Sequence, residues 1–428
     1  MKNNMEFRQM KRFLTMFFGL TALCAAAAPE ITVSDDLTVN VMDNAAPVKM
    51  TVKVAEYNES TTAPMVEVTN RETPFKLDPQ IDRPGFAFID LEIPGEQPDK
   101  PISKRIGFAN RPEDIVRSSE RPADFDEFWD SQLQRLAAVP LKVLEMKEVP
   151  IDDKNYADKL VCYDVKVACV DNVPVSGFLV MPRNAKPKSL PAVVTYQGAG
   201  VYSAGKMFRI AEAGAMVLDI NAHGVPNGQP GEFYANLEKN ELSGYYMRGI
   251  DDREKCYFLN MFLRVRRSLD FMKSLPEWDG KNLFVGGGSQ GGLQSVVAAA
   301  LDPDVTFAAP QAPWLCNNNA SLERRNYPAW PGFVKAGDNG APADPKIAET
   351  MRYFDAMNFA KRIKCEVFVT SGLLDTVCPP SGVFMMYNEL SSDNRSWKIF
   401  DNETHAGPGL YQAGTDALIA KIKTVNGK

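Results

Sequence analysis

Histidine is nearly absent: the 428 residues contain two, His223 and His405, too few to build a metal centre on imidazoles. No basic run appears and the formal net charge is −6, so the clustered cationic surface that a phosphate backbone demands is missing and a nucleic-acid partner is excluded. Nor is there an apolar stretch of about 20 residues, the length a membrane-spanning helix needs. Cysteine is sparse, seven in all, with neither the dense spacing of a disulfide framework nor paired metal ligands. Six lie beyond Cys24, mostly in apolar stretches, and read as buried free thiols; Cys162 and Cys169, on paired strands, are the one candidate disulfide. Internal repeats and low-complexity segments are also lacking.

What is present is the balance of an ordinary soluble globular protein, 45% hydrophobic and 24% charged, in a chain long enough for two domains. Its first residues read as an export signal. Lys2, Arg8, Lys11 and Arg12 precede an apolar run from Phe13 to Leu23, and the small residues Ala25 to Ala28 follow. We expect a signal peptide over residues 1–27 and a periplasmic or secreted protein. Cys24 offers a lipoprotein alternative, which Leu23 directly before it disfavours.

From Glu30 to Ile93 apolar and polar residues alternate at period two, as in Val39/Val41, Val52/Val54 and Ile89/Leu91/Ile93, with turn residues between. This spacing predicts a small β-sandwich over residues 28–108, with Pro94 to Pro101 beginning a linker. Beyond residue 109 the texture changes. A helix over Asp124–Ala137 and two strands over Leu160–Met181 are followed by alternating strands and helices. Strands are expected at Pro191–Tyr196, Ala215–Ile220, Leu283–Gly286, Val305–Ala309, Cys365–Thr370 and Trp397–Phe400. The helices between and after them include Arg253–Leu275, with Arg264, Arg266 and Arg267 on its wet side, then Gln290–Leu301, Val383–Leu390 and Thr415–Lys423. Such alternation implies an α/β fold over 109–428, a doubly wound, mostly parallel sheet with helices on both faces.

One motif carries chemistry. Gly287-x-Ser289-x-Gly291 lies between an apolar strand and a small-residue helix, where G-x-S-x-G forms a strained turn that projects the serine hydroxyl from the sheet edge. A hydroxyl needs a base. His405, after the last expected strand, stands where this fold puts its histidine; His223 precedes the serine and breaks the order Ser, acid, His. Between them, Val367 to Asp375 supplies a strand, a turn and one carboxylate. Asp375 is therefore the residue to orient the imidazole, while Asp355 and Glu389 read as helix-surface charges. The N–H of Gln290 is the first oxyanion donor. The second comes from the loop Gln197-Gly198-Ala199-Gly200, with Ala199 first choice and Gln197 or Gly198 one register away. Gln197 and Trp314 are candidate substrate contacts; His223 reads first as structural and otherwise as a further substrate contact. No metal or cofactor is called for.

With these residues assembled, the chain resembles the acetyl xylan esterase and cephalosporin C deacetylase family. Arg121 to Trp129, Gly288-Ser289-Gln290-Gly291-Gly292, Leu301-Asp302-Pro303 and Gly372 to Pro380 carry the likeness, which runs from Arg121 to the C-terminus. The resemblance implies cofactor-free removal of O-acetyl groups from acetylated carbohydrates or small acetylated compounds, and homo-oligomers with the active sites facing an inner cavity. Three departures stand out: the family's Arg-Gly-Gln reads Asn221-Ala222-His223, its loop tyrosine falls at Ala199, and its His-Glu pair reads His405-Ala406. The β-region in front lies outside the family pattern. Rival readings on the same fold are a dienelactone hydrolase-like enzyme or a peptidase, and an inactive glycan-binding shell.

Overall fold

The structure is a computed structural model, and it describes residues 29–34, 37–42, 49–56, 66–77, 84–95, 97, 99–323, 329–337 and 340–427. The expected signal peptide lies outside the described residues. So does the candidate lipidation site, Cys24.

Nine strands form the main sheet: β1 (Val143–Val149), β2 (Leu160–Val167), β3 (Val175–Pro182), β4 (Leu190–Tyr196), β5 (Met216–Ile220), β6 (Trp278–Gly288), β7 (Phe307–Gln311), β8 (Glu366–Gly372) and β9 (Arg395–Phe400). Their spatial order is β9-β8-β7-β6-β4-β5-β3-β2-β1. The first three pair antiparallel and β3 meets β5 antiparallel; every pairing from β5 to β9 is parallel. Strands β4 and β5 are buried along their whole length, which is why they read as unbroken apolar runs. Alternate residues divide between two cores. Val194 and Val285 face the helices Tyr257–Ser274 and Gln290–Leu301, whereas Val193 and Phe284 face Ile210 of a short helix and Leu418 of the helix Pro408–Val425. Each fully buried Val or Leu there contributes about 1.5–3 kcal/mol. Helices on both faces, as expected, leave only the sheet ends free for chemistry.

Two differences from expectation have physical reasons. Strand β1 escaped notice because it is an exposed edge strand, its Leu144 and Met146 largely in solvent, so no half-buried alternation marks it. Arg264 and Arg267 are buried rather than wet. Arg264 donates to the Ala222 carbonyl (2.7 Å) and Arg267 to those of Leu136 and Val139 (2.7 Å each). Burial of a guanidinium is tolerable only where such acceptors meet its donors.

Ahead of this body lie two small sheets. One holds Val66–Glu72, Lys49–Glu56, Gly85–Ile93 and Ile102–Asn110 in that spatial order; the other holds Glu30–Val33, Thr38–Met42 and Phe75–Lys76. Ile31, Val39, Met50, Ile89, Leu91 and Ile106 form the core between them. The stretch Pro94 to Pro101 is not a linker but the connection of a hairpin, since Gly85–Ile93 pairs antiparallel with Ile102–Asn110 from end to end. All six described cysteines are free, Cys162 and Cys169 included.

Candidate active site

Strand β6 ends in the middle of the sheet and turns directly into the helix Gln290–Leu301, and Ser289 occupies the turn at φ 59°, ψ −119°. A non-glycine residue at such a φ is strained, and it persists because both sides of the turn are held. Ser289 N–H donates to the Gln311 carbonyl (2.8 Å), and its own carbonyl accepts from Trp314 N–H (3.0 Å). The flanking glycine is a steric necessity: a Cβ at Gly291 would overlap the Tyr196 carbonyl oxygen on β4.

Asp375 and His405 arrive from the loops after β8 and β9. The Asp375 carboxylate is fully buried and spends one oxygen on the N–H groups of Val377 and Cys378, both at 2.8 Å. Its other oxygen accepts from His405 Nδ1 at 2.7 Å, and His405 Nε2 faces Ser289 Oγ at 3.1 Å. A carboxylate on Nδ1 fixes that nitrogen as the one bearing hydrogen, so Nε2 presents a lone pair to the serine hydroxyl. Such a chain can take the serine proton as the oxygen attacks an ester carbonyl and return it to the departing alcohol.

Two residues missed in the sequence hold the histidine loop. The Glu403 carboxylate accepts from Gly409 N–H (2.9 Å) and Leu410 N–H (2.8 Å) at the start of the helix Pro408–Val425. Tyr411 donates to the His405 carbonyl at 2.8 Å. A carboxylate just ahead of a helix is a recognisable capping signal; the tyrosine's role is set by the loop alone.

Gln290 is the first residue of its helix, so its N–H has no intrahelical partner and projects at the nucleophile turn. Its buried side chain ties down the opposite loop: Oε1 accepts from Tyr245 Oη (2.7 Å) and Nε2 reaches the Gly198 carbonyl (3.4 Å). Tyr245 Oη also accepts from Gly200 N–H at 3.4 Å. Ala199 thus lies between two anchored residues.

Gln197, expected as a substrate contact, faces inward instead, and His223 takes its structural reading rather than the substrate-contact alternative. Gln197 donates to the carbonyls of Tyr202 and Ser203 (3.0 Å each) and accepts from Ala222 N–H (3.2 Å), leaving its amide committed to the loop. His223 is 4% exposed. Its Nε2 meets the Gly200 carbonyl at 2.9 Å and its Nδ1 meets Tyr257 Oη at 2.7 Å. A carbonyl can only accept, so Nε2 carries the hydrogen and Nδ1 receives the tyrosine's; burial pushes the imidazole down to about 4, keeping it neutral. Asp355 is likewise no surface charge. It is buried, accepts from the N–H groups of Asn317, Asn318 and Met357, and is pushed up to about 6 by burial.

The His223 geometry gives a signed expectation. A histidine lowered from 6.5 to about 4 lends stability that is complete above 6.5 and is lost as pH falls through 4, because the unfolded chain takes up a proton the folded one refuses. His223→Gln keeps a donor for Gly200 and an acceptor for Tyr257 without titrating. Thermal unfolding of His223→Gln and wild type should therefore differ increasingly between pH 6.5 and 4, by up to about 3 kcal/mol, with the variant less acid-sensitive. The paired comparison isolates His223 from Asp219, whose burial pushes it up to about 7. That carboxyl acts in the opposite sense, its contribution complete below 3.8 and lost as pH rises through 7.

Beside the triad-like chain lies a cavity of about 1130 Å³, walled by Trp314, Cys316, Trp330, Phe333, Val377 and Cys378. Trp314, also an expected contact, is buried at the back of that wall at 2% exposure, its indole N–H donating to the Trp330 carbonyl (2.6 Å) and its ring stacked on the exposed Trp330 at 5.7 Å. Asp375, Cys378 and His405 also bring ligand-type atoms within 4.8 Å of one another, but they do not suit a metal. Both Asp375 oxygens and both imidazole nitrogens are engaged, and burial pushes the Cys378 thiol well up, away from the thiolate a metal needs.

A serine on a strained strand-to-helix turn at the end of a central strand of a mostly parallel sheet covered by helices places this molecule among the α/β-hydrolases, and the family it matches makes it a carboxylic ester hydrolase. The acetyl xylan esterase (AXE1) family model matches residues 114–421, and the chain belongs to that family. It is 32% identical over 321 residues to the acetyl esterase Axe7A of Xylanibacter ruminicola, covering 74% of this chain and 70% of that one. Among solved structures it is similar to the acetyl xylan esterase from Paenibacillus sp. R4, with TM-score 0.59, 27% identity, and 73% and 98% of the two chains covered. Acetyl xylan esterase 1 from Thermoanaerobacterium sp. shares the fold, with TM-score 0.59, 24% identity, and 72% and 97% covered.

Proposed function

We propose that this protein is an exported serine esterase that removes O-acetyl groups from acetylated carbohydrates, xylan or xylo-oligosaccharides foremost, with Ser289 as nucleophile, His405 as general base and Asp375 orienting the imidazole. The observation that carries this reading is the unbroken hydrogen-bonded chain from Asp375 through His405 to Ser289 Oγ. The N–H groups of Gln290 and Ala199 would receive the oxyanion. The alcohol leaves with the proton held by His405, and water then cleaves the acetyl-enzyme along the same path. Trp330, 43% exposed and backed by the buried Trp314, gives the adjoining cavity an aromatic face of the kind sugar rings stack on, and family membership supports the acetylated substrate. Export rests on the sequence pattern of residues 1–27.

The test pairs two measurements on the purified protein: acetate release from acetylated xylan, acetylated monosaccharides and p-nitrophenyl acetate, and labelling by a fluorophosphonate probe with the modified residue mapped. We expect release from the acetylated carbohydrates and a single adduct on Ser289. An inert Ser289 would overturn the mechanism. Labelling without acetate release from any carbohydrate would overturn the substrate.

A further inference from the structure

The family match begins at residue 114, so the N-terminal β-region is an addition to it, and its contacts with the hydrolase body are particular. In a strand successive side chains point to opposite faces. Along Gly85–Ile93, Ala87, Ile89, Leu91 and Ile93 enter the sandwich core, whereas Phe86 and Phe88 pack with the core of the hydrolase body. Phe86 is 1% exposed and its ring lies 5.0 Å from that of Phe384.

The neighbouring strand, Ile102–Asn110, makes a more consequential contact. Ile106 turns into the sandwich, and Gly107, next along, meets the hydrolase. Gly107 N–H donates to the Asp401 carbonyl at 2.6 Å. On the same face a Cβ would overlap the Leu373 side chain and press on its Cα and carbonyl carbon, both at 3.1 Å. Leu373 begins the turn that presents Asp375, and Asp401 begins the loop that presents His405. Those two loops are already joined: Leu373 N–H donates to the Phe400 carbonyl (2.8 Å) and Leu374 N–H to that of Glu403 (3.0 Å). The appended strand therefore lies across the place where the acid loop and the base loop meet, in contact with both backbones.

We propose that the N-terminal β-region is a positioning element of the active site, holding the Asp375 and His405 loops in register through Gly107. This rests on the assignment of Asp375 and His405 made above. The physical reason for sensitivity is distance. A displacement of about 1 Å between catalytic groups costs roughly 100-fold in rate, and a side chain at Gly107 has no room unless Leu373 moves.

The experiment uses the full chain. Gly107→Val, the gentler Gly107→Ala and, as a control at a solvent-exposed position two residues away on the same strand, Arg105→Ala are assayed with p-nitrophenyl acetate well below their unfolding midpoints. Gly107→Val should lower kcat by about 30- to 100-fold with KM within about twofold of wild type, and Gly107→Ala should do the same more mildly. Arg105→Ala, which loses the exposed ion pair with Asp90 and the guanidinium's contact with the Phe88 ring but touches neither catalytic loop, should keep wild-type kcat. If Gly107→Val fails to fold, Gly107→Ala decides the matter. Wild-type kcat in a folded Gly107→Ala, or an equal loss in Arg105→Ala, would overturn the proposal. A wild-type enzyme whose turnover does not depend on Ser289 would instead remove the assignment on which it rests.

Discussion

Ser289→Ala should lower p-nitrophenyl acetate turnover by about 10⁴- to 10⁶-fold while leaving circular dichroism and the unfolding midpoint near wild type. The size follows from what remains. His405 and the proposed oxyanion donors would still be in place, but with no oxygen at Ser289 no acyl-enzyme forms, and only water attacking a polarised ester is left. The fold should tolerate the change because the turn is held by backbone groups, the Gln311 and Trp314 contacts, rather than by the hydroxyl. Alanine must adopt the same left-handed φ as serine, so the strain is common to both. Turnover within tenfold of wild type would mean that another group performs the attack.

Asp375→Asn should cost about 10⁴-fold in kcat, again in a folded protein. The argument turns on which way the new amide must face. One carboxylate oxygen accepts from two backbone N–H groups, Val377 and Cys378, and only the amide oxygen can occupy that position. The NH₂ group is then forced toward His405 Nδ1, which must accept rather than donate. The hydrogen moves to Nε2, and the imidazole meets Ser289 with a donor where it needs a lone pair. Asp375→Asn should also slow fluorophosphonate labelling of Ser289. A variant that labels at the wild-type rate would show that Asp375 does not govern the tautomer.

The three residues that meet in the hydrogen-bonded chain, Ser289, His405 and Asp375, were legible because each follows a strand whose apolar run is plain, in the order this fold demands. Ser289 carried its own motif, His405 was one of two histidines, and Asp375 followed a strand and a turn. The β-region and the mostly parallel sheet were legible for the same reason, since period two and unbroken apolar runs are properties of local sequence. What escaped depends on contacts between distant segments. A helical pattern puts Arg264 and Arg267 among solvated charges; only the fold supplies the Ala222, Leu136 and Val139 carbonyls that let them go inside. Gln197 lies near the nucleophile turn but turns its amide into the loop rather than toward the cavity, whereas His223 fills the structural role that its place before the serine implies. A polar side chain beside a site can face the substrate or brace the loop, and the sequence does not distinguish the two. Tyr245, Tyr257 and Tyr411 gave no signal at all, because a tyrosine in an apolar stretch reads as packing until its hydroxyl is seen to reach a partner.

One strand, Gly85–Ile93, feeds two hydrophobic interiors from its opposite faces. Neither interior can come apart without stripping side chains from the other, so the appended sandwich and the hydrolase should melt together, as one cooperative unit rather than as beads on a string.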